Sequence, residues 1–243
     1  STAMAATMLL TGSISVQAAD AAAANDPAVE LIFTSVSVSG DSHTEAMYEF
    51  ADKVEELSGG SVTCKCYDNG SLFSSENEFD ALLNGDADLA YISFPTIATQ
   101  IPSYSMFASG YLFSSYEHMT SVLNGDIGLN KIRPQIEETL NIKPLSSFYL
   151  GSRVINTREK EINSYDDMNG LLLRMPNSEA WLFLGEALGA NPTPLSFSEL
   201  YTALQTGAVD AQDNPLPSIE SAKFYEVTKY IAITNHVVNS IMP

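Results

Sequence analysis

The sequence predicts an α/β protein made of two similar lobes, and two observations carry that prediction. Strand-like and helix-like segments alternate along most of the chain, the order that places helices on the faces of a sheet. A short unit also recurs: residues 81–88 read ALLNGDAD and residues 203–210 read ALQTGAVD. Each copy is a helix end, a glycine suited to the left-handed cap conformation, and an aspartate leading into a strand. Each follows a Ser-x-x-Glu pair, Ser75 with Glu78 and Ser196 with Glu199, and each carries an aromatic residue, Phe79 or Tyr201, just before the Ala-Leu pair.

The elements follow in order. Leu31–Val38 is a first strand, leading into a helix that Ser42-x-x-Glu45 opens as a capping box and Gly59–Gly60 closes. Ala46, Met47, Phe50, Val54 and Leu57 form its apolar face. SVTCKCYD is a second strand, Ser75-x-x-Glu78 opens a second helix, and DLAYISF (Asp88–Phe94) is a third strand. In the second half, Ser152–Thr157, Leu171–Met175, Asn191–Leu195, Val209–Pro215 and Tyr230–Val238 are expected strands. Tyr165–Asn169, Ser178–Leu188, Ser198–Gln205 and Ile219–Val227 are expected helices.

Composition narrows the function. At 243 residues and 45% hydrophobic, the chain can fill one large or two medium domains. A net charge of -19 argues against nucleic acid or an anionic membrane as partner, because both would be repelled at long range. Cys64 and Cys66 lie one residue apart on a strand, too close for an unstrained disulfide, and read as free thiols; no metal site and no cofactor is expected. Met4–Asp20 resembles the apolar core and cleavage end of a secretory signal, too short to span a bilayer, with a flexible Ala-rich leader as the alternative; the signal reading places the protein outside the cytoplasm.

Against that acidic background each arginine is informative, and Arg174 most of all. It stands inside the apolar run LLLRM, bracketed by a glycine and a proline. A buried guanidinium needs an anionic partner, which is either an acid of the chain or a ligand carboxylate gripped through two parallel hydrogen bonds. Ligands of open α/β sheets bind outside the carboxyl ends of strands. Arg153 within one strand, Arg174 at the end of the next and Asn214 at the end of a third are therefore expected to meet at one mouth. His236 is expected to make a structural hydrogen bond on a strand crossing between lobes, and His118 to lie at the surface.

Residues 31–241 resemble the solute-binding proteins of tripartite ATP-independent periplasmic (TRAP) transporters, the DctP-like family. The resemblance rests on an ordered series: Gly-x-Arg, Asp-Met-x-Gly, Arg-x-Pro, Gly-Ala-x-Pro-x-Pro and Ala-Leu-Gln-Thr-Gly-x-Val-Asp, all between residues 150 and 215. It implies a two-lobed periplasmic binding protein (Venus-flytrap) fold, with a leader and linker at 1–30, lobe I at 31–151 completed by 239–243, and lobe II at 152–238. It implies further helices after lobe II that complete lobe I in relatives and are missing here. Arg174 would form the salt bridge to a substrate carboxylate, with Asn214 supporting the same group and Arg153 adding a contact. Asn177 and Phe197 resemble pocket residues of the sialic-acid-binding branch, and each also has a local role open to it, as a helix cap and as core. His43 at a helix start, and Glu76 on a first helical turn, are further candidate ligand contacts.

Two positions depart from the family pattern: Ala211 where glycine is usual and Asp213 where glutamate is usual. The implied protein is a monomer, not an enzyme. It would capture a small-molecule carboxylate, a sugar acid such as a uronate or sialic acid, for TRAP membrane permease subunits. Two alternatives stand beside it. One is a C4-dicarboxylate or other organic-acid binder feeding a sensor. The other is a secreted sugar-acid enzyme, for which no H-E-x-x-H, P-loop or G-x-S-x-G motif is present.

Overall fold

The computed structural model describes residues 28–243; the apolar leader Met4–Asp20 and most of the linker after it lie outside the described residues. Strand β1 (Val29–Thr34), helix α1 (Ser42–Ser58), β2 (Val62–Tyr67), α2 (Glu78–Asn84) and β3 (Leu89–Ala90) come first. They form a three-stranded parallel sheet of order β2-β1-β3. The second half repeats this topology with β5 (Leu172–Met175), α6 (Glu179–Ala187), β6 (Asn191–Pro194), α7 (Leu200–Thr206) and β7 (Ala211–Pro215). There β5 lies between β6 and β7 and runs parallel to both. Two long strands, β4 (Phe148–Thr157) and β8 (Tyr230–Ile241), complete the second sheet in the order β6-β5-β7-β4-β8. Both are antiparallel to their neighbours.

The recurring sequence unit marks the same device in both halves. Gly85 and Gly207 cap α2 and α7 in the left-handed conformation, at φ 79° and φ 82°. The aspartate after each glycine then clips onto the central strand. Asp88 donates its backbone N–H to the Ile32 carbonyl and accepts the Ile32 N–H on its carboxylate at 2.7 Å. Asp210 does the same with Leu172, the carboxylate contact being 3.0 Å. A two-lobed α/β molecule follows, as the alternation predicts.

The chain between the two sheets is helical, where the sequence had suggested no element: α3 (Phe94–Ile97), a 3-10 turn Pro102–Ala108, α4 (Tyr116–Leu123) and α5 (Arg133–Leu140). Phe94, Ile97, Tyr104, Met119, Leu123 and Ile136 build the largest core cluster with Phe79. The second sheet is covered on both faces. Ile155, Leu173 and Met175 pack on Trp181 and Leu184, while Val154 packs on Leu200, Leu204 and Phe224 from the other side, the last of these beyond α8 (Leu216–Ser221). Adjacent residues of one strand thus belong to opposite cores, as the pleat requires.

Three expected helix starts are corrected. Asp41, not Ser42, caps α1, its Oδ1 accepting the His43 N–H at 2.9 Å. Helix α2 begins at Glu78, so Glu76 precedes the helix and does not sit on its first turn. A 3-10 turn, Phe197–Glu199, comes before α7, and Ser196 makes no side-chain cap bond to it. Ser75 and Ser196 instead meet each other, Oγ to Oγ at 3.3 Å, across 121 residues of sequence. The first strand also stops at Thr34. Beyond it the Ser35 and Ser37 carbonyls accept the N–H groups of Gly70 and Asn69 in the turn after β2.

Strands β4 and β8 tie the halves together. Their pairing runs from Thr157↔Tyr230 to Phe148↔Ile241 with register shifts beside Gly151 and Val154, and Met242 then bridges to Ile92. Gly151 has φ +130°, and a Cβ there would meet Pro215 Cβ at 2.4 Å. Gly151→Ala should therefore lower the unfolding free energy by about 1–3 kcal/mol, through strained backbone and a displaced Pro215. Urea denaturation monitored by Trp181 fluorescence measures this, and an unchanged midpoint would contradict it.

Candidate ligand-binding site

The carboxyl ends of the parallel strands in both halves face a cavity of about 350 Å³. Residues just after β1 (Val36, Ser37, Val38) and β3 (Tyr91, Ile92, Ser93) line one side, and those after β5 (Pro176, Asn177, Ser178) together with Asn214 of β7 line the other. This volume suits a small organic molecule.

Arg174 sits in the wall, 2% exposed, on the face of β5 opposite Leu173 and Met175. Its guanidinium makes one hydrogen bond among the described residues, Nε to the Leu195 carbonyl at 2.8 Å, and lies 5.9 Å from the centre of the Phe197 ring. Among the described residues it has no ion-pair partner. Burial pushes its pKa down to about 10, and the distant Asp213 and Glu76 carboxylates do not restore it. It remains charged at neutral pH, with Nη donors to spare.

Arg153 lines the cavity too, but its charge is already matched. Nε donates to Asp213 Oδ2 at 2.6 Å, Nη2 to Asp213 Oδ1 at 2.8 Å and to the Asp213 carbonyl, and Nη1 to Asn239 Oδ1 at 2.8 Å. Trp181 packs against the guanidinium, 4.6 Å from ring centre to Cζ. One Nη1 hydrogen is left, so Arg153 offers a directed donor and little net charge. His236 Nε2 lies 3.2 Å from Asp213 Oδ2 and its Nδ1 2.8 Å from Thr234 Oγ1, the structural role expected of it. Burial opposes ionisation of Asp213, but Arg153 and His236 outweigh it and hold the carboxyl well below its usual range.

Asn214 reaches the cavity with one amide hydrogen committed to Gln212 Oε1 at 2.6 Å; Gln212 in turn bonds Asn156, so a chain of amides fixes its orientation. Asn177 lines the cavity while the next residue, Ser178, caps α6, which separates the two roles open to Asn177. Phe197 has both of its expected environments, lining the cavity and packing edge-on to Phe224 at 5.7 Å. Glu76 lines the opposite wall and accepts hydrogen bonds from Ser75 at 2.9 Å and Ser196 at 2.8 Å.

His43 does not fit its expected place. It is absent from the cavity wall and packs near Tyr91 and Phe148, at 5.9 and 6.4 Å between ring centres, with Nδ1 3.1 Å from Asp41 Oδ1. Cap geometry at the start of α1 turns the ring inward and leaves Asp41 in the wall. Asp41, Glu78, Tyr91, Trp181 and Asn239 are wall residues the sequence analysis did not single out. Asp41 alone had a local signal, as the acid before a helix start.

This is the architecture of a two-lobed solute-binding protein. The family model for bacterial extracellular solute-binding protein, family 7 (DctP), matches residues 33–243, and the chain belongs to that family. It is 36% identical over 192 residues to the sialic acid-binding periplasmic protein SiaP of Vibrio cholerae, covering 79% of this chain and 59% of that protein. A TRAP periplasmic solute-binding protein of Roseobacter denitrificans, solved with 3-deoxy-D-manno-oct-2-ulosonic acid, superposes with a TM-score of 0.83 at 40% identity, covering 89% of this chain and 71% of that one. The sugar acid binding protein DctPAm of Advenella mimigardefordensis, solved with galactonate, gives 0.84 at 31% identity over 90% and 70%. The chain thus spans less than two thirds of the length of that SiaP relative.

Removing Asp213's charge strands Arg153. Asp213→Asn should destabilise the protein by about 3–5 kcal/mol at neutral pH, the cost of a buried charge left unpaired. Because the folded pKa of Asp213 is depressed, its contribution is complete above the unfolded value of about 3.9 and is lost as pH falls through the folded one. The gap between wild type and variant in urea titrations should hold from neutral pH down to about pH 4 and narrow below it. A gap that closes already between neutral pH and that point would refute the assignment.

Proposed function

We propose that the chain is an extracytoplasmic solute-binding protein that captures an organic-acid anion, a sugar acid such as a uronate or sialic acid, and delivers it to the membrane permease subunits of a TRAP transporter. The observation that carries this reading is Arg174: a charged guanidinium in a cavity wall with no ion-pair partner among the described residues. A ligand carboxylate supplies the missing anion, and an Nη fork can grip it bidentately. Asn214 adds an amide donor to the same group, Arg153 one N–H, and Asn177, Phe197 and Glu76 surround the rest of the ligand. That three similar proteins bear names or ligands of sugar acids supports the ligand class.

Residues 31–151 with 239–243 form lobe I and 152–238 form lobe II, working as a monomer in the periplasm. They close on the ligand about β4 and β8, and the closed form gains only what the ligand contacts in it more than in the open form.

Thermal-shift screening of sugar acids against the full chain tests the proposal. A binder at 100 times its Kd should stabilise by about 2.7 kcal/mol. Arg174→Lys should abolish most of that shift while leaving the unliganded protein folded, because an ammonium cannot reproduce the fork. Affinity should be level between about pH 6 and about pH 8 and should fall as pH approaches the depressed Arg174 value of about 10. A Lys variant that binds normally would return Arg174 to a purely structural role.

A further inference from the structure

The two walls of the cavity carry opposite charge. Arg153 and Arg174 stand on the β4–β5 side, and Asp213 already neutralises the first. Facing them are Asp41, Glu76, Glu78 and the more exposed Asp80, and that wall holds no cation among the described residues. Asp41 and Glu76 are ionised. Burial raises both, but the His43 and Ser221 bonds to Asp41 and the serine hydroxyls around Glu76 outweigh it and leave both carboxyls below their usual values. Glu78 differs from them. It is 3% exposed, and neither its Oε1 nor the Thr34 hydroxyl has a hydrogen-bond partner. Burial pushes its carboxyl well above the usual range.

Resting on the reading of the chain as an organic-acid binder, we propose that this acidic wall is a specificity filter: it accepts ligands with one carboxylate and hydroxyl groups beyond it, and refuses those with a second carboxylate at the far end. Among the described residues that line the cavity Arg174 is the one cation with no ion-pair partner, so it orients one carboxylate toward β5 and the remainder of the ligand toward Asp41, Glu76 and Glu78. Hydroxyl groups there donate to two carboxylates that can only accept. A second carboxylate sets acceptor against acceptor and like charge against like charge in a partly desolvated cleft. Charge compensation by a second arginine is what a dicarboxylate site needs, and here Asp213 has consumed it.

The test is calorimetric titration of the full chain with matched pairs: gluconate against glucarate and galactonate against galactarate, which differ only in the terminal carboxylate, with glucuronate and succinate alongside. At least one single-carboxylate acid should bind, and its aldarate partner at least about 100-fold more weakly. The double variant Asp41→Asn with Glu76→Gln should narrow that ratio at least about tenfold. Asparagine caps a helix as well as aspartate, and glutamine keeps an acceptor for Ser196, so the fold is retained. An aldarate or succinate that binds as tightly as the single-carboxylate acids overturns the filter while leaving the organic-acid reading intact. Silence from every acid overturns both.

Discussion

One constraint organises the molecule: a guanidinium, once buried, has to be matched by an anion. The second sheet buries two of them, and it treats them differently. Arg153 has its charge matched inside the chain by Asp213, with Asn239 and the Trp181 face beside it. Arg174, one strand beyond β7, receives a single carbonyl. Burial of a charge costs several kcal/mol unless it is paired, and the fold carries that cost at Arg174 because hydrophobic burial on both faces of the sheet outweighs it. Asp213 keeps the two cases apart: with Arg153 and His236 both holding its carboxylate, it is not free to reach Arg174.

The second organising feature is the repeat. Each half has the strand order 2-1-3, a left-handed glycine cap and an aspartate clip onto the central strand. Two such units placed face to face bring the carboxyl ends of six parallel strands around one space, so the cavity follows from the topology rather than from any single residue. Ser75 and Ser196, at corresponding places in the two copies, touch where the units meet. The units are alike in backbone but line the cavity differently: Arg174 of the second, with Arg153 of β4, stands on one side and Asp41 and Glu76 of the first on the other, which gives the cavity a polar direction.

Across the cavity the two halves meet through polar side chains. Glu76 accepts from Ser196 on one side of the cavity and Asp41 accepts from Ser221 on the other, at 2.8 and 3.2 Å. Hydrogen bonds of this kind, part-exposed and made by short hydroxyl side chains, contribute about 1 kcal/mol each. They suit a closure that has to be reversible. The covalent and sheet connection is carried by β4 and β8, whose pairing is interrupted near Gly151 and Val154, where a glycine at positive φ lets the strand bend against Pro215.

Much of this was legible in the chain before folding. The α/β alternation, the repeat and the position of Arg174 are periodicity and composition, which local physics reads directly: apolar runs bury, glycine after a helix takes the left-handed conformation, and a lone arginine in an apolar strand demands an anion. What the sequence could not settle was anything decided by a neighbour distant along the chain. Ser42, Ser75 and Ser196 all looked like caps. Asp41 took the first role because its carboxylate reached the His43 N–H, and the other two serines found each other and Glu76 across the cleft. Asp41 took the place in the cavity wall expected of His43, through one turn of cap geometry, and Arg153 was distinguished from Arg174 only when Asp213, 60 residues away in sequence, folded against it. The sequence by itself determined the type and order of the elements and the need for a counter-ion; tertiary structure decided which arginine has one, because pairing of buried charges depends on side chains that only the assembled sheet brings within hydrogen-bond distance.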